Sequence, residues 1–162
     1  MQLPPRFVER IRAQLGEQEA AQLCEALEGE QPTSVRLHPL RGERCALPVA
    51  EQIPWCAAGR YLTDRPSFTL DAAFHAGAYY VQEASSQFVG RLMPKACAGL
   101  RVLDMCAAPG GKTTLYASMV GATGLVVANE IDRKRVQVLA DNVRKWGLGN
   151  VAVTCGDAET AA

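Results

Sequence analysis

Apolar residues at the start of the chain recur at i, i+4 spacing: Phe7, Ile11 and Leu15, then Leu23 and Leu27. With Gly16 and Gly29 as breaks, this predicts two short helices. The period then shortens. "TSVRLHPL" alternates as a strand does, and "RGERCALPVAEQIPWCAAGRYLTDRP" is so rich in proline, glycine and turn residues that it predicts a small domain's surface with short strands at most. A boundary near residues 65 to 75 follows, giving a small α+β N-terminal domain over 1–70 and a second domain over 71–162.

Beyond that boundary "AYYVQEASSQFVGRLM" runs as a short strand into a helix, with Ser85 or Ser86 near its start. "LRVLDM" has the apolar character of a strand buried in a parallel sheet, and "TTLYASMVG" follows as a helix ending at Gly121. "GLVVANE" predicts the next strand. "DRKRVQVLADNVRKWG" predicts a helix capped by Asp132, with Val136, Leu139, Val143 and Trp146 on one face, and "NVAVTCGD" a last strand. Strand, helix, strand, helix, strand is the first half of a doubly wound α/β fold. It leaves "LRVLDM" as an apolar edge, completed by chain outside these residues or covered by the N-terminal domain or another subunit.

Composition narrows the class. Of 162 residues, 48% are apolar and 21% charged, enough for a soluble domain with a core. No apolar run reaches membrane-spanning length and "MQLPPRFVER" lacks a signal-peptide core, so no membrane association and a cytoplasmic location are expected. The six cysteines include no C-x-x-C pair and no neighbouring histidine cluster, which predicts buried reduced thiols and no metal site. Formal net charge is zero, so attraction to nucleic acid would need a local patch. Arg36, Arg41, Arg44, Arg60, Arg65, Arg91 and Lys95, interleaved with Trp55, Tyr61, Phe68, Tyr79 and Tyr80, could form one. The same residues read equally well as solvated arginines and core aromatics.

The chemistry centres on "VLDMCAAPGGKTT", residues 102–114. It approaches the phosphate-binding template G-x-x-x-x-G-K-[ST], but Cys106 stands where the first glycine belongs and Pro109 has no N–H to offer, which argues against an anion nest. Gly110 and Gly111 are expected to let backbone approach a ligand, and Lys112 to face a carboxylate, a phosphate or Asp104. Ligands of open α/β sheets lie at the carboxyl ends of the strands. Glu130 ends the second strand at an offset from the turn that suits ribose hydroxyls, and Asp157 ends the third, able to accept from an adenine amino group. An adenosine with a zwitterionic tail, S-adenosylmethionine, fits this set better than a dinucleotide does; the alternative is that both acids are merely solvated strand ends.

"DMCAAPGGKTT", with "FHAGAYYVQEASSQF" before it and "NEIDRKRVQVLADNVRKWGLGNV" after it, resembles the Sun-type RNA (cytosine-5) methyltransferases, particularly the bacterial branch that modifies 16S ribosomal RNA. "LPPRFVERI" and "RPSFTLDAAFHAG" also resemble that branch. The resemblance implies a Rossmann-like S-adenosylmethionine-dependent methyltransferase fold. It implies cofactor binding by Cys106, Ala107, Ala108, Pro109, Gly110, Gly111 and Lys112, with Glu130 as the ribose acid and Asp157 on the adenine side. Tyr79 to Ser86 would begin the methyltransferase domain and line the site. His38 departs from the asparagine usual there and is expected to be a surface or locally hydrogen-bonding variant without a catalytic role.

Carbon-5 of cytosine becomes reactive only after a nucleophile adds to carbon-6, and a base must then remove the carbon-5 proton. The family uses cysteines in T-C and P-C-S-G segments; P-C-S-G does not occur in these 162 residues, and the T-C dipeptide present, Thr154-Cys155, lies on the strand before Asp157 and is not read as the catalytic segment. Cys106 is expected beside the cofactor and Cys155 in the core, so no catalytic residue is assigned here. The implied function is methylation of carbon-5 of a 16S rRNA cytosine by the parent enzyme, with ribosomal RNA of the small subunit as partner and this chain as its cofactor-binding part. The alternatives are a non-catalytic S-adenosylmethionine- or RNA-binding module, and a P-loop-like hydrolase dependent on Lys112 and magnesium.

Overall fold

Pro5 opens the first helix, α1 (Pro5–Leu15), where its missing N–H costs no hydrogen bond. Gly16 at φ +80° turns the chain into α2 (Glu17–Glu28), and Arg12 meets Glu17 across that corner at 3.1 Å. The Leu3 N–H donates to Glu28 at 3.2 Å, tying the two helices' far ends together. The structure is a computed structural model that describes residues 3–157 and 159. It divides into two compact units, residues 1–32 and 33–162.

The second unit contains two sheets. The first is antiparallel, in the order β2-β3-β1-β4, formed by β1 (Ser34–Leu37), β2 (Val49–Gln52), β3 (Gly59–Leu62) and β4 (Tyr79–Val81). Val35 pairs with Arg60 on one side and Val81 on the other. β4 lies beyond residue 70, so this sheet draws on both sides of the position where the sequence places the domain boundary. Buried Val35, Leu62, Ala78 and Tyr79 form its core, with Phe68 and Phe74 packed against them. Asp71 caps the short helix α3 (Ala72–His75) through the Ala73 N–H and accepts the Tyr79 hydroxyl at 2.5 Å. The helix expected after β4 is broken: one turn, α4 (Ala84–Gln87), gives way to a 3-10 turn over Phe88–Leu92. Gly90 sits inside that turn; a Cβ there would lie 3.3 Å from Met119, so the turn is drawn close against the helix that carries that methionine.

The second sheet is parallel, in the order β5-β6-β7: β5 (Arg101–Asp104), β6 (Leu125–Asn129) and β7 (Val151–Thr154). Two crossover helices join its strands, α5 (Gly111–Val120) and α6 (Arg133–Trp146), as the alternation predicts. Asp132 caps α6 through the Lys134 and Arg135 N–H groups, and Gly147 ends it in the left-handed region at φ +68°. Leu139 and Val143 of α6 cover Ala107, Ala108 and Ala128, while Ala117, Val120 and Val126 make the core under α5. Among the described residues the outer edge of β5 pairs with no strand, and Leu103 on it is 61% exposed, as the edge argument anticipates.

Candidate cofactor site

The turn between β5 and α5 spends its own amides. The Ala107 N–H donates to the Asn129 carbonyl at 2.9 Å, the Ala108 N–H to Glu130 Oε2 at 3.3 Å, and the Gly110 N–H to the Ala107 carbonyl at 2.7 Å. Pro109 contributes none. A phosphate nest needs consecutive amides pointing outward, so the turn is not one, as Cys106 and Pro109 predict.

The turn's carbonyls are held from α6 and β4. Arg135 Nη2 donates to the Ala108 carbonyl at 2.8 Å, and Asn142 Nδ2 and the Tyr80 hydroxyl donate to that of Pro109 at 2.8 and 3.2 Å. Gly110 has φ +107°, which a side chain rarely adopts, and a Cβ there would stand 3.2 Å from Leu139. A Cβ on Gly111 would meet Gln82 at 3.3 Å and Tyr80 at 3.5 Å. Gly110 is therefore required by its backbone conformation before any ligand approaches, whereas at Gly111 a side chain would be tight against Gln82.

Glu130 is 3% exposed just past β6. Its Oε2 accepts the Ala108 amide and faces Arg135 Nη1 at 3.3 Å, while Oε1 accepts the Asp132 N–H at 3.2 Å. Asn129 bridges the neighbouring strand ends: its Nδ2 donates to the Gly156 carbonyl at 2.9 Å and its Oδ1 accepts from Thr154 at 3.0 Å. Those bonds lead the chain to Asp157, which is exposed and accepts the Glu159 N–H at 3.0 Å. The β5–α5 turn, Glu130 and the segment carrying Asp157 thus share one end of the parallel sheet. Lys112 is exposed and forms no ion pair among the described residues. It does not meet Asp104, whose buried carboxylate accepts the Thr113 hydroxyl at 2.7 Å.

Four sequence expectations need correction. Arg36 belongs to no surface patch: it is 1% exposed, with Nε on Gln82 Oε1 at 2.9 Å and Nη2 on the Gly111 carbonyl and Thr114 Oγ1 at 3.1 and 2.6 Å. Its guanidinium lies 4.6 Å from the Trp146 ring centroid, and burial lowers its pKa to about 10, leaving it charged at neutral pH. His38 is buried, so the surface reading fails, while the local hydrogen bond it was expected to make is present. Its ring packs on Trp146 at 4.6 Å, Nδ1 accepts the Leu40 N–H, and Nε2 then carries the proton it donates to the Trp146 carbonyl at 2.9 Å. Cys155 is exposed and not in the core, because its strand ends at Thr154. Nor are the thiols generally buried: of the six, Cys97 alone is, and Cys106 is exposed. Among the described residues no cluster of His, Cys, Asp and Glu could hold a metal ion, and no helix is long and apolar enough to cross a membrane.

Sequence reasoning missed Arg36, Arg135, Asn142 and Gln82 as supports of the turn. Arg135 alone left a local signal, lying one turn into a capped helix that starts beside Glu130; the others reach the turn from far along the chain.

Comparison with known proteins places these features together. Residues 3–84 match the family described as the N-terminal domain of 16S rRNA methyltransferase RsmF, and residues 92–162 match that of 16S rRNA methyltransferase RsmB/F. The ribosomal RNA small subunit methyltransferase F of Serratia proteamaculans is 45% identical over 108 residues, which is 64% of this chain and 23% of that protein. The chain thus matches about a quarter of the length of such curated relatives. The solved methyltransferase homolog protein of Pyrococcus horikoshii superposes with a TM-score of 0.80 at 30% identity, over 96% of this chain and 53% of that one. NSun6 from the same organism, solved with SFG, shares the fold at a TM-score of 0.76 and 17% identity, over 97% and 66% of the two chains. The fold is accordingly the first part of a Rossmann-like methyltransferase domain behind an RsmF-type N-terminal region, and the chain belongs to the family defined by the N-terminal domain of 16S rRNA methyltransferase RsmF.

Proposed function

We propose that this chain is the cofactor-holding part of an S-adenosylmethionine-dependent enzyme that methylates carbon-5 of a cytosine in 16S rRNA of the small subunit. The observation that carries the reading is Glu130, a buried carboxylate at the end of β6 whose position is fixed by the amide of the cofactor turn itself. Two backbone N–H groups and one guanidinium leave it acceptor capacity, since an ionised carboxylate offers about four lone-pair sites. That suits ribose hydroxyls. A turn with inward amides suits a ligand without a phosphate chain at this point, as S-adenosylmethionine is.

On this reading Cys106 to Lys112 form the wall against the cofactor, Glu130 holds the ribose and Asp157 the adenine side. Lys112, solvent-facing and without an ion pair among the described residues, is free to meet an anionic group. The cofactor, when bound, supplies an electrophilic methyl group. No residue of this chain is assigned as nucleophile or base toward the cytosine; the P-C-S-G segment of the family is not among its 162 residues, and Thr154-Cys155, at the end of β7 before Asp157, is given no catalytic role. Activity on the ribosomal subunit is therefore assigned to a protein that contains both parts.

Titration calorimetry with S-adenosylhomocysteine tests the reading. The wild-type chain is expected to bind it, and Glu130→Ala to weaken binding by about 1 to 3 kcal/mol, the usual worth of hydrogen bonds to a charged acceptor. Unchanged affinity would remove Glu130 from the ribose. Displacement by ATP, with no displacement by S-adenosylmethionine, would overturn the methyltransferase assignment.

A further inference from the structure

A cavity of about 490 Å³ lies along the flank of α5. Its walls include Trp55, Met93, Leu115 and Met119. None of residues 102–112, Glu130 or Asp157 lines it; Arg36 stands between the cavity and the cofactor turn, with Nη2 on the Gly111 carbonyl, so the cavity borders the turn without being part of the crevice.

Its charge is one-sided. Arg36, Arg91 and Lys95 line it, and no aspartate or glutamate does. Arg36 is the unusual member: its buried guanidinium is bonded only to neutral acceptors, and its Nη1 has no hydrogen-bond partner. An uncompensated charge in a low-dielectric wall projects its field into the space it lines, where water screens it poorly. Arg91 and Lys95 are exposed at the mouth and form no ion pair among the described residues. The Trp55 indole is fixed in place, its N–H bonded to the Ala84 carbonyl at 2.7 Å and its ring edge-on to Phe88 at 5.9 Å. A held aromatic ring, apolar walls and three cations without an acid match a ligand with a flat apolar body and an anionic group. The volume lies in the range of pockets for small ligands, about 300 to 1,000 Å³.

We propose that this cavity is a second RNA contact, taking an unpaired nucleotide with its base against Trp55 and the apolar wall and its phosphate toward Arg91 and Lys95. The proposal rests on the reading of RNA as substrate and adds a site that the cofactor crevice does not supply. Commitment to RNA over a free nucleotide follows from the mouth: two exposed cations can track a backbone that continues past the cavity, whereas one monophosphate needs fewer partners.

Fluorescence anisotropy of the full chain with a short fluorescein-labelled single-stranded RNA tests it, together with cross-linking by the same RNA carrying 4-thiouridine. Salt-sensitive binding is expected, weakened about tenfold or more by Arg91→Glu/Lys95→Glu, with the slope of log affinity against log salt reduced by about 1 to 2. Cross-links are expected at residues 55–58 or 90–97. Unchanged affinity in the double variant, or cross-links confined to residues 104–112 and 130–157, would overturn the cavity while leaving RNA as a ligand. Equal displacement by a free mononucleotide at matched nucleotide concentration would overturn the RNA source. No binding of the RNA by the wild-type chain would overturn the cavity and the chain's part in substrate contact together.

Discussion

Arg36 carries more of the site's geometry than any residue in the glycine turn. Reaching from β1, it holds the first carbonyl of α5 and the Thr114 hydroxyl, stacks on Trp146, and has no carboxylate partner. Two effects oppose each other on its removal: relief of a desolvated charge, and loss of the donor to Gln82, Thr114 and Gly111, of which the Gly111 carbonyl keeps a second donor in the Thr114 hydroxyl. Leaving buried acceptors unpaired costs about 1 to 3 kcal/mol each, so the second wins. Arg36→Met should therefore lower stability by about 2 to 4 kcal/mol in urea unfolding; a loss under about 1 kcal/mol would mean that the turn does not depend on it. His38 is a second buried polar group with a measurable signature. Burial and the nearby Arg41 lower its pKa below the usual 6.5, so the folded state holds it neutral where the unfolded chain takes up a proton. Its contribution to stability is full above pH 6.5 and is lost as pH falls through that value toward the folded-state pKa. His38→Asn should destabilise most near neutrality and least in acid, and a penalty independent of pH would contradict the neutral assignment. The burial of neither residue was legible beforehand. An arginine in an alternating strand and a histidine before a proline carry no local mark of burial; what they touch lies on α5 and α6.

Among the elements, α6 joins sequence logic to the site most directly. Its apolar stripe and the Asp132 cap follow from spacing and side-chain chemistry, and both are present. The cap also matters to Glu130, because the Asp132 N–H donates to Glu130 and the first helical turn projects Arg135 toward it. Asp132→Ala should cost about 1 kcal/mol of stability, the typical worth of an N-cap, measured by urea unfolding. It should also weaken S-adenosylhomocysteine binding, since fraying of that turn releases Arg135; intact affinity alongside the stability loss would separate the cap from the site. The short elements behaved differently. The segment after β4 has helical residues but becomes one helical turn and a 3-10 turn, because Gly90 is pressed against Leu115 and Met119 of α5. Propensity sets a weak preference over so few residues, and tertiary contact overrides it.

For the whole molecule, the sequence by itself determined the alternation of strands and helices, the cap and end of α6, the apolar edge of β5 and the failure of the glycine turn as a phosphate cradle. These depend on residues near one another in the chain, where period, caps and a proline without an N–H act locally. It also marked Glu130 and Asp157, because the carboxyl ends of successive parallel strands must lie together once the crossovers are right-handed. Only the tertiary structure decided that β4 joins the antiparallel sheet, that Gly110 and Gly111 pack close to Leu139 and Gln82, and that Asp104 takes Thr113 and not Lys112. It alone brought Arg36, Arg91 and Lys95 around one cavity without an acid. The physical reason is range. Local pattern fixes which backbone conformation each segment adopts, but a buried cation, a glycine contact or a shared cavity exists only after segments distant in the chain have packed, and no period along the sequence encodes which distant side chain arrives.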